Sequence, residues 1–436
     1  MSGSSSASGS RPDPSGSSSA SGSRLGQHGV EAGAHTRVVS GDSIGRASRD
    51  RAAGSSSRLG PPRHRPTWAE IDLNAIAGNV AALRAGAGGA DLMAVVKADG
   101  YGHGMIPAAQ AALAGGADWL AVALVEEGEA LRAAGITVPV LVMTEPPSTA
   151  IAAMIDADLT PTVYSGAFVD ALAGYARDIG RPVSVHCKLD TGMRRVGVPD
   201  AEWESALTRL RDEPALRLAG LWSHFAVADE PDHPFIAEQH ERFARGLALA
   251  GELGATPDVV HLANSAATLS LPDTHYDVVR PGLSVYGLEP APGLAAGRGL
   301  RPAMRWCSRL GLVKRLAAGE AVSYGLRWRA PHETTTGTVP AGYADGVTRA
   351  LSNTGEVVCR GQRVPIVGTV CMDQFIVDLG EADAEAGDEV VLLGDQGAAA
   401  VTADDWAAWL ATINYEVVCG VGRRVPRVYV GGERAR

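Results

Sequence analysis

The sequence has no long apolar run: none of its uninterrupted hydrophobic stretches approaches the roughly 18 residues needed to span a bilayer. It has no excess of positive charge either. Thirty-nine Lys and Arg stand against 49 Asp and Glu, a formal net charge of −10 with a pI of about 5.6, so no basic surface is offered to nucleic acid or to an anionic membrane. Cysteine is scarce. The five, at 187, 307, 359, 371 and 419, are an odd number without a CxxC pair, which argues against a disulfide framework and a zinc site and predicts reduced thiols. The opening MSGSSSASGSRPDPSG lacks the apolar centre of a signal peptide. Together these absences predict a cytoplasmic protein.

What is present is ordinary globular composition, 45% hydrophobic and 20% charged over 436 residues, enough for two domains with sizeable cores. Residues 1–65 are different material. The decapeptide SGSSSASGSR occurs at Ser2 and again at Ser15, and nine Arg face four Asp and Glu. Such a segment cannot bury enough apolar surface to offset its ordering entropy, and it is expected to be a disordered tail.

Beyond it, eight apolar runs alternate with helix-like segments: LMAVVK ending at Lys97, WLAVAL from Trp119, PVLVMT from Pro139, LTPTVY from Leu159, PVSVHCKLD from Pro182, LRLAGLWSHF from Leu216, DVVHLA from Asp258 and DVVRPG from Asp277. Eight alternating units in this span predict a (β/α)8 TIM-type barrel over 66–300. A doubly wound sheet would carry a GxGxxG turn after its first strand, and none is present. From 301 to 436 the chain turns to short strands separated by Gly, Pro and Asp, predicting a mostly β domain that ends in the helix TADDWAAWLATI and the strand RVPRVYV. The strand WAEIDL near Trp68 can pair with either domain.

In such barrels chemistry sits at the carboxyl ends of the strands. That rule selects Lys97 on the first run, Lys188 and Asp190 on the fifth, His224 on the sixth, Asn264 and Ser265 after the seventh, and Arg280 on the eighth. Lys97, in AVVKADGYGHG, ends an apolar run at a glycine-rich turn, where an amine can meet a cofactor aldehyde as a Schiff-base candidate. Ser265 is expected to cap the helix beginning SAATL and to aim free amides at an anion, with Gly282 permitting close backbone approach from the adjacent loop. The run ADEPDHPFIAEQHERF holds several carboxylates and histidines, but no pair has a recognised metal spacing, and a solvated loop and helix face is the expectation.

From Trp68 to Tyr429 the chain resembles the alanine racemases, on the strings AVVKADGYGHG, KLDTGMRRVG, SHFAVADE, HLANSAA, RPGLSVYG, AVSYGLRW, AGYADGV, VGTVCMDQ and INYE. The resemblance implies a pyridoxal 5'-phosphate enzyme that interconverts L- and D-alanine, works as a homodimer with shared sites, and supplies D-alanine for peptidoglycan. It implies that Lys97 bonds the cofactor and acts as base on one face of the substrate, while Tyr324 from the partner subunit works on the other. Arg280 matches the arginine at the pyridine nitrogen, with His224 beside it. Tyr101, Ser265, Gly282, Leu283 and Tyr415 match the residues around the phosphate, and Asn264 is a further cofactor-binding position. Arg195 and the backbone of Met372, with Asp373 next to it, match the holders of the substrate carboxylate. Tyr343 and Tyr415 match the aromatics that narrow the entrance, and Lys188 matches a lysine that is carbamylated in some members.

Two bases are what racemisation needs, because a proton leaves one face of a flat intermediate and returns to the other. A phenol is a weak base near neutrality, so nearby positive charge and hydrogen bonding through His224 and Arg280 are expected to assist Tyr324. A racemase of serine or of broader range, a decarboxylase of basic amino acids and a non-catalytic pyridoxal-phosphate carrier are the competing readings. Arg280 opposes the decarboxylase, and the second domain with Tyr324 is unexplained in a carrier.

Overall fold

A computed structural model describes residues 64–432; the expected tail over 1–65 lies, but for its last two positions, outside the described residues. All eight apolar runs are strands. After β1 (Thr67–Asp72) come β2 (Asp91–Val95), β3 (Trp119–Val122), β4 (Val140–Val142), β5 (Thr160–Val163), β6 (Val183–Lys188), β7 (Leu216–Trp222), β8 (Val259–His261) and β9 (Val278–Val279). From β2 to β8 each strand pairs in parallel with the next, and β9 pairs with β2. The last seam, between β8 and β9, is joined by the amide of Asp277 donating to Val260 O at 3.1 Å and that of Arg280 to Ala263 O at 2.9 Å. The result is a near-closed eight-stranded parallel barrel.

The intervening segments fold as helices for local reasons. In Gly166–Asp178 the hydroxyl of Ser165 accepts from Phe168 N and caps the first turn, and Phe168, Val169, Leu172, Ala173 and Ala176 fall on one buried face. Phe235–Glu252 buries Ile236, Gln239, Phe243, Gly246 and Ala250 at the same helical spacing. Side chains such as Ile76, Leu92, Met93 and Leu120 are completely buried in the barrel core, each stabilising the fold by about 1.5–3 kcal/mol.

The remaining strands are β10 (Met304–Arg309), β11 (Leu312–Leu316), β12 (Ala321–Val322), β13 (Trp328–Arg329), β14 (Thr334–Val339), β15 (Glu356–Cys359), β16 (Gln362–Val367), β17 (Phe375–Gly380), β18 (Glu389–Gln396), β19 (Ala399–Val401) and β20 (Arg427–Val430). Most form one sheet in the order β11-β14-β17-β16-β15-β18-β10-β1-β20, with β19 on β18 and β12-β13 a separate hairpin. Here the open question about WAEIDL is answered. β1 runs antiparallel to β10 and parallel to β20, so the strand that leads into the barrel is part of the β domain's sheet.

Candidate active site

Lys97 stands two residues beyond β2, at the head of a short helical turn whose hand is reversed. Ala98, Asp99 and Gly100 lie near φ 53–61° and ψ 45–50°, and Tyr101 follows at φ 52°. Left-handed turns cost L-residues about 1–2 kcal/mol each. Local bonds hold this one: Glu127 Oε1 accepts from Ala98 N at 2.6 Å, and Asp99 Oδ1 from Met105 N at 2.9 Å. The β domain presses on the exit of the turn. Arg427 Nε donates to Gly102 O at 2.9 Å, and a Cβ on Gly104 would strike Tyr429 Oη at 1.9 Å. The half-buried Lys97 ammonium is disfavoured first by burial and then by Arg195, so its pKa falls below the usual lysine value.

Across the barrel mouth the cations gather on Trp222. Its ring carries Lys188 Nζ at 4.3 Å and the Arg280 guanidinium at 4.7 Å. The whole chain has only three lysines, and two of them, Lys97 and Lys188, serve this rim. Burial, then Arg280 and Arg195, push Lys188 down to about 7. Arg280 is buried and falls to about 9 through desolvation, yet remains a cation at neutrality. Its Nη2 donates to Ser223 O at 2.8 Å and Leu262 O at 3.1 Å and meets His224 Nδ1 at 3.2 Å, while Nη1 meets His261 Nδ1 at 3.0 Å. Burial and Arg280 hold His224 well below the ordinary histidine pKa. His224 is therefore a neutral hydrogen-bonding group, and the positive charge beside it is that of Arg280. Asp190 aims its carboxylate at the amides of Gly192 and Arg194, 2.9 and 3.1 Å away, and so shapes the loop that carries Arg195.

The helix Ser265–Ser270 is capped by Asn264, whose Oδ1 accepts from Ala267 N at 3.1 Å. The expected cap, Ser265, is instead the first helical residue. Its Oγ accepts from Gly282 N at 2.8 Å and ties the β8 loop to the β9 loop. Leu283, next along, is completely buried. A Cβ on Gly282 would come within 2.3 Å of Tyr101 Oη, so glycine there keeps that phenol in place. The Tyr101 and Tyr415 rings lie 6.2 Å apart. Both hydroxyls are pushed up by burial, that of Tyr415 to about 12, so both act as hydrogen-bonding phenols.

The other predicted residues form a second group on the β domain. Tyr324 rides the tip of the β12-β13 hairpin, with Ser323 at φ 62°, Gly325 at 75° and Leu326 at 48°, and Thr369 Oγ1 donates to its carbonyl at 2.8 Å. The residue is 74% exposed. Tyr343 and Met372 are exposed as well, joined through Tyr343 N donating to Cys371 O and Ala344 N to Met372 O, both at 3.0 Å. Beneath them Asp345, fully buried, is held by Arg65 and Arg424, and Arg424 reaches Asp373 at 2.6 Å. No hydrogen bond among the described residues joins Tyr324, Tyr343 or Met372 to Lys97 or Arg280 in the same chain.

Residues 71–290 match the profile of the alanine racemase N-terminal domain, and residues 303–429 that of the C-terminal domain. The chain belongs to the alanine racemase family. It is 52% identical over 367 residues to the alanine racemase of Frankia casuarinae, covering 83% of this chain and 96% of that one. It is 48% identical to that of Thermobifida fusca, with 84% and 98% covered. The crystal structure of alanine racemase from the D-cycloserine producer Streptomyces lavendulae superposes with a TM-score of 0.83 at 46% identity, covering 85% and 99%. That from Bacillus anthracis with bound L-Ala-P gives 0.80 at 36%, covering 85% and 96%.

Several residues around this alanine racemase-type mouth are missed by a reading of where the apolar runs end. His186, Trp222 and His261 lie on strands, turned into the barrel. Glu127 sits in the helix Val125–Ala133, where its Oε2 accepts from Ala123 N and Leu124 N at 2.9 and 3.1 Å.

Proposed function

We propose that the protein is a pyridoxal-phosphate-dependent racemase that interconverts L- and D-alanine. In this reading 66–300 is the cofactor-binding barrel and 301–436 the β domain, and two copies share their sites in the cytoplasm, supplying D-alanine for peptidoglycan. The observation that carries it is the reversed turn at Lys97, which holds an amine with lowered proton affinity at the barrel rim, just past the strand β2 that pairs with the β9 strand leading to Arg280.

The residues present fit the cofactor. Ser265 Oγ, Gly282 and Tyr101 Oη lie together where a Cβ at 282 would collide with the phenol, and the cationic groups Arg195 and Arg280 suit a ligand that brings a phosphate and a carboxylate. Tyr101, Asn264, Ser265, Gly282, Leu283 and Tyr415 would hold the phosphate, Arg280 with His224 the ring nitrogen, and Lys97 the aldehyde carbon. When bound, pyridoxal phosphate supplies that aldehyde and a ring that draws electrons from the substrate's Cα.

Lys97, its charged form disfavoured by burial, takes the proton from Cα on one face and returns it in the reverse direction. The partner subunit's Tyr324 does the same from the opposite face. A phenol exposed on a backbone that costs about 1–3 kcal/mol per strained residue is in keeping with a group built for a neighbour. Arg280 donates a hydrogen bond and keeps its proton, which limits electron withdrawal and favours racemisation over transamination. Arg195 and the partner's Met372 amide bind the carboxylate, with Asp373 beside it, and Tyr343 and Tyr415 narrow the entrance to small side chains. Lys188, neutral in part near pH 7, adds carbon dioxide through its amine nitrogen with loss of a proton to water, and the resulting carbamate anion steadies Arg195.

Purified protein incubated with pyridoxal phosphate and L-alanine and sampled by chiral chromatography should accumulate D-alanine. Carbon dioxide release in its place would mark a decarboxylase, and no turnover a carrier. Lys97→Ala should lose at least about 10³-fold in rate along with the visible absorbance of the loaded protein.

A further inference from the structure

The barrel interior holds a chain of three side chains, Arg280, His261 and His186, whose proton positions follow from geometry. The register sets it up: on β6, β7 and β8, His186 lies opposite Gly220, Lys188 opposite Trp222, and Trp222 opposite His261. Residues opposite one another share a sheet face, so these side chains all point inward. Gly220 makes the room, since a Cβ there would meet the His186 ring at 2.4 Å. Trp222 stacks on His261 with centroids 5.4 Å apart and an angle of 14°.

Arginine offers only N–H donors. His261 Nδ1, 3.0 Å from Arg280 Nη1, must therefore present a lone pair, which places the His261 proton on Nε2. That N–H points at His186 Nδ1, 2.9 Å away. His186 Nδ1 must then be an acceptor, and its own proton sits on Nε2, a completely buried atom without a hydrogen-bond partner among the described residues. An unpartnered N–H in a barrel core destabilises the fold, and its retention calls for a reason. If either imidazole carried its proton on the other nitrogen, an N–H would face the guanidinium and push it from its seat.

We propose that His186 is a positioning residue for Arg280: by accepting the Nε2 proton of His261 it locks the imidazole that aims the guanidinium at the cofactor's ring. This rests on the reading of Arg280 given above. The part of His186 is indirect. It touches neither substrate nor cofactor and acts through His261.

The test uses full-length protein labelled with 15N at histidine. In the cofactor-free wild type, imidazole 15N shifts should report the Nε2–H tautomer at both His186 and His261. His186→Asn, which sets Oδ1 near the place of Nδ1, should keep the His261 tautomer and stay within about twofold of wild-type kcat, whereas His186→Leu should mix the tautomers and lower kcat about tenfold with KM little changed. A wild-type His261 protonated on Nδ1 would overturn the proposal. So would a His186→Leu variant that keeps the wild-type tautomer and rate, or equal losses in the Asn and Leu variants. Because the tautomers are read without cofactor, wild-type protein that shows them but racemises nothing would sink the functional reading on its own.

Discussion

The barrel mouth and the β-domain face treat their polar groups in opposite ways. At the mouth Arg280, Ser265 and His103 are buried and tied to partners within the chain. On the β-domain face Tyr324, Tyr343 and Met372 stand open, over a buried foundation of Asp345 with two arginines. One region is organised for its contents before anything arrives. The other is rigid underneath and unsatisfied on top, as a surface meant for a second copy would be. The proposed shared site would account for both halves with one sequence.

That contrast can be broken most sharply by complementation. Tyr324→Phe and Lys97→Ala should each be inactive homodimers, the first down by about 10²–10³-fold with cofactor still bound. Equal mixtures that exchange subunits should regain about one quarter of wild-type activity, because half the dimers carry one intact site of two. No recovery would place both residues in one chain's site.

Next is acid stability, which tests how far the mouth is preorganised. His103 lies under the Lys97 turn, with Nδ1 2.9 Å from Tyr101 O and 3.1 Å from Gly100 O, and burial lowers it to about 4. Its folded pKa is below the unfolded value of about 6.5, so the stability it contributes is present above pH 6.5 and is lost as the pH falls toward 4. Between pH 6.5 and 5 the loss from this group is about 1.6 kcal/mol, or roughly 15-fold in the folding equilibrium. Denaturant titrations of His103→Gln should show a decline shallower by that amount. A smaller effect is expected from Gly282→Ala, whose methyl would displace the Tyr101 phenol; cofactor affinity by fluorescence titration should weaken about tenfold, with the β-domain face untouched.

The barrel was legible because parallel strands buried on both sides read as continuous apolar runs, and LMAVVK, WLAVAL and PVSVHCKLD all became strands. The rim residues followed from strand ends. What stayed hidden depends on contacts distant in the chain. WAEIDL could not be assigned because its partners, β10 and β20, lie far along the sequence. Asn264 and Ser265 are both good caps, and their tasks are separated by the bonds from Ala267 N to Asn264 Oδ1 and from Gly282 N to Ser265 Oγ. The reversed hand of KADGY is held by Glu127, a helix away. The pair of His186 and His261, 75 residues apart, emerges only once the strand registers are known.

The placement of β1 bears on how the chain is made. Thr67–Asp72 leaves the ribosome before the barrel, yet the hydroxyl of Thr67 meets that of Ser308, 241 positions later, and β20 arrives last of all. A ladder spanning so much chain closes late. The nascent barrel must therefore assemble with its leading segment still waiting, and completion of the Lys97 turn, which leans on Arg427 and Tyr429, is reserved for a finished polypeptide.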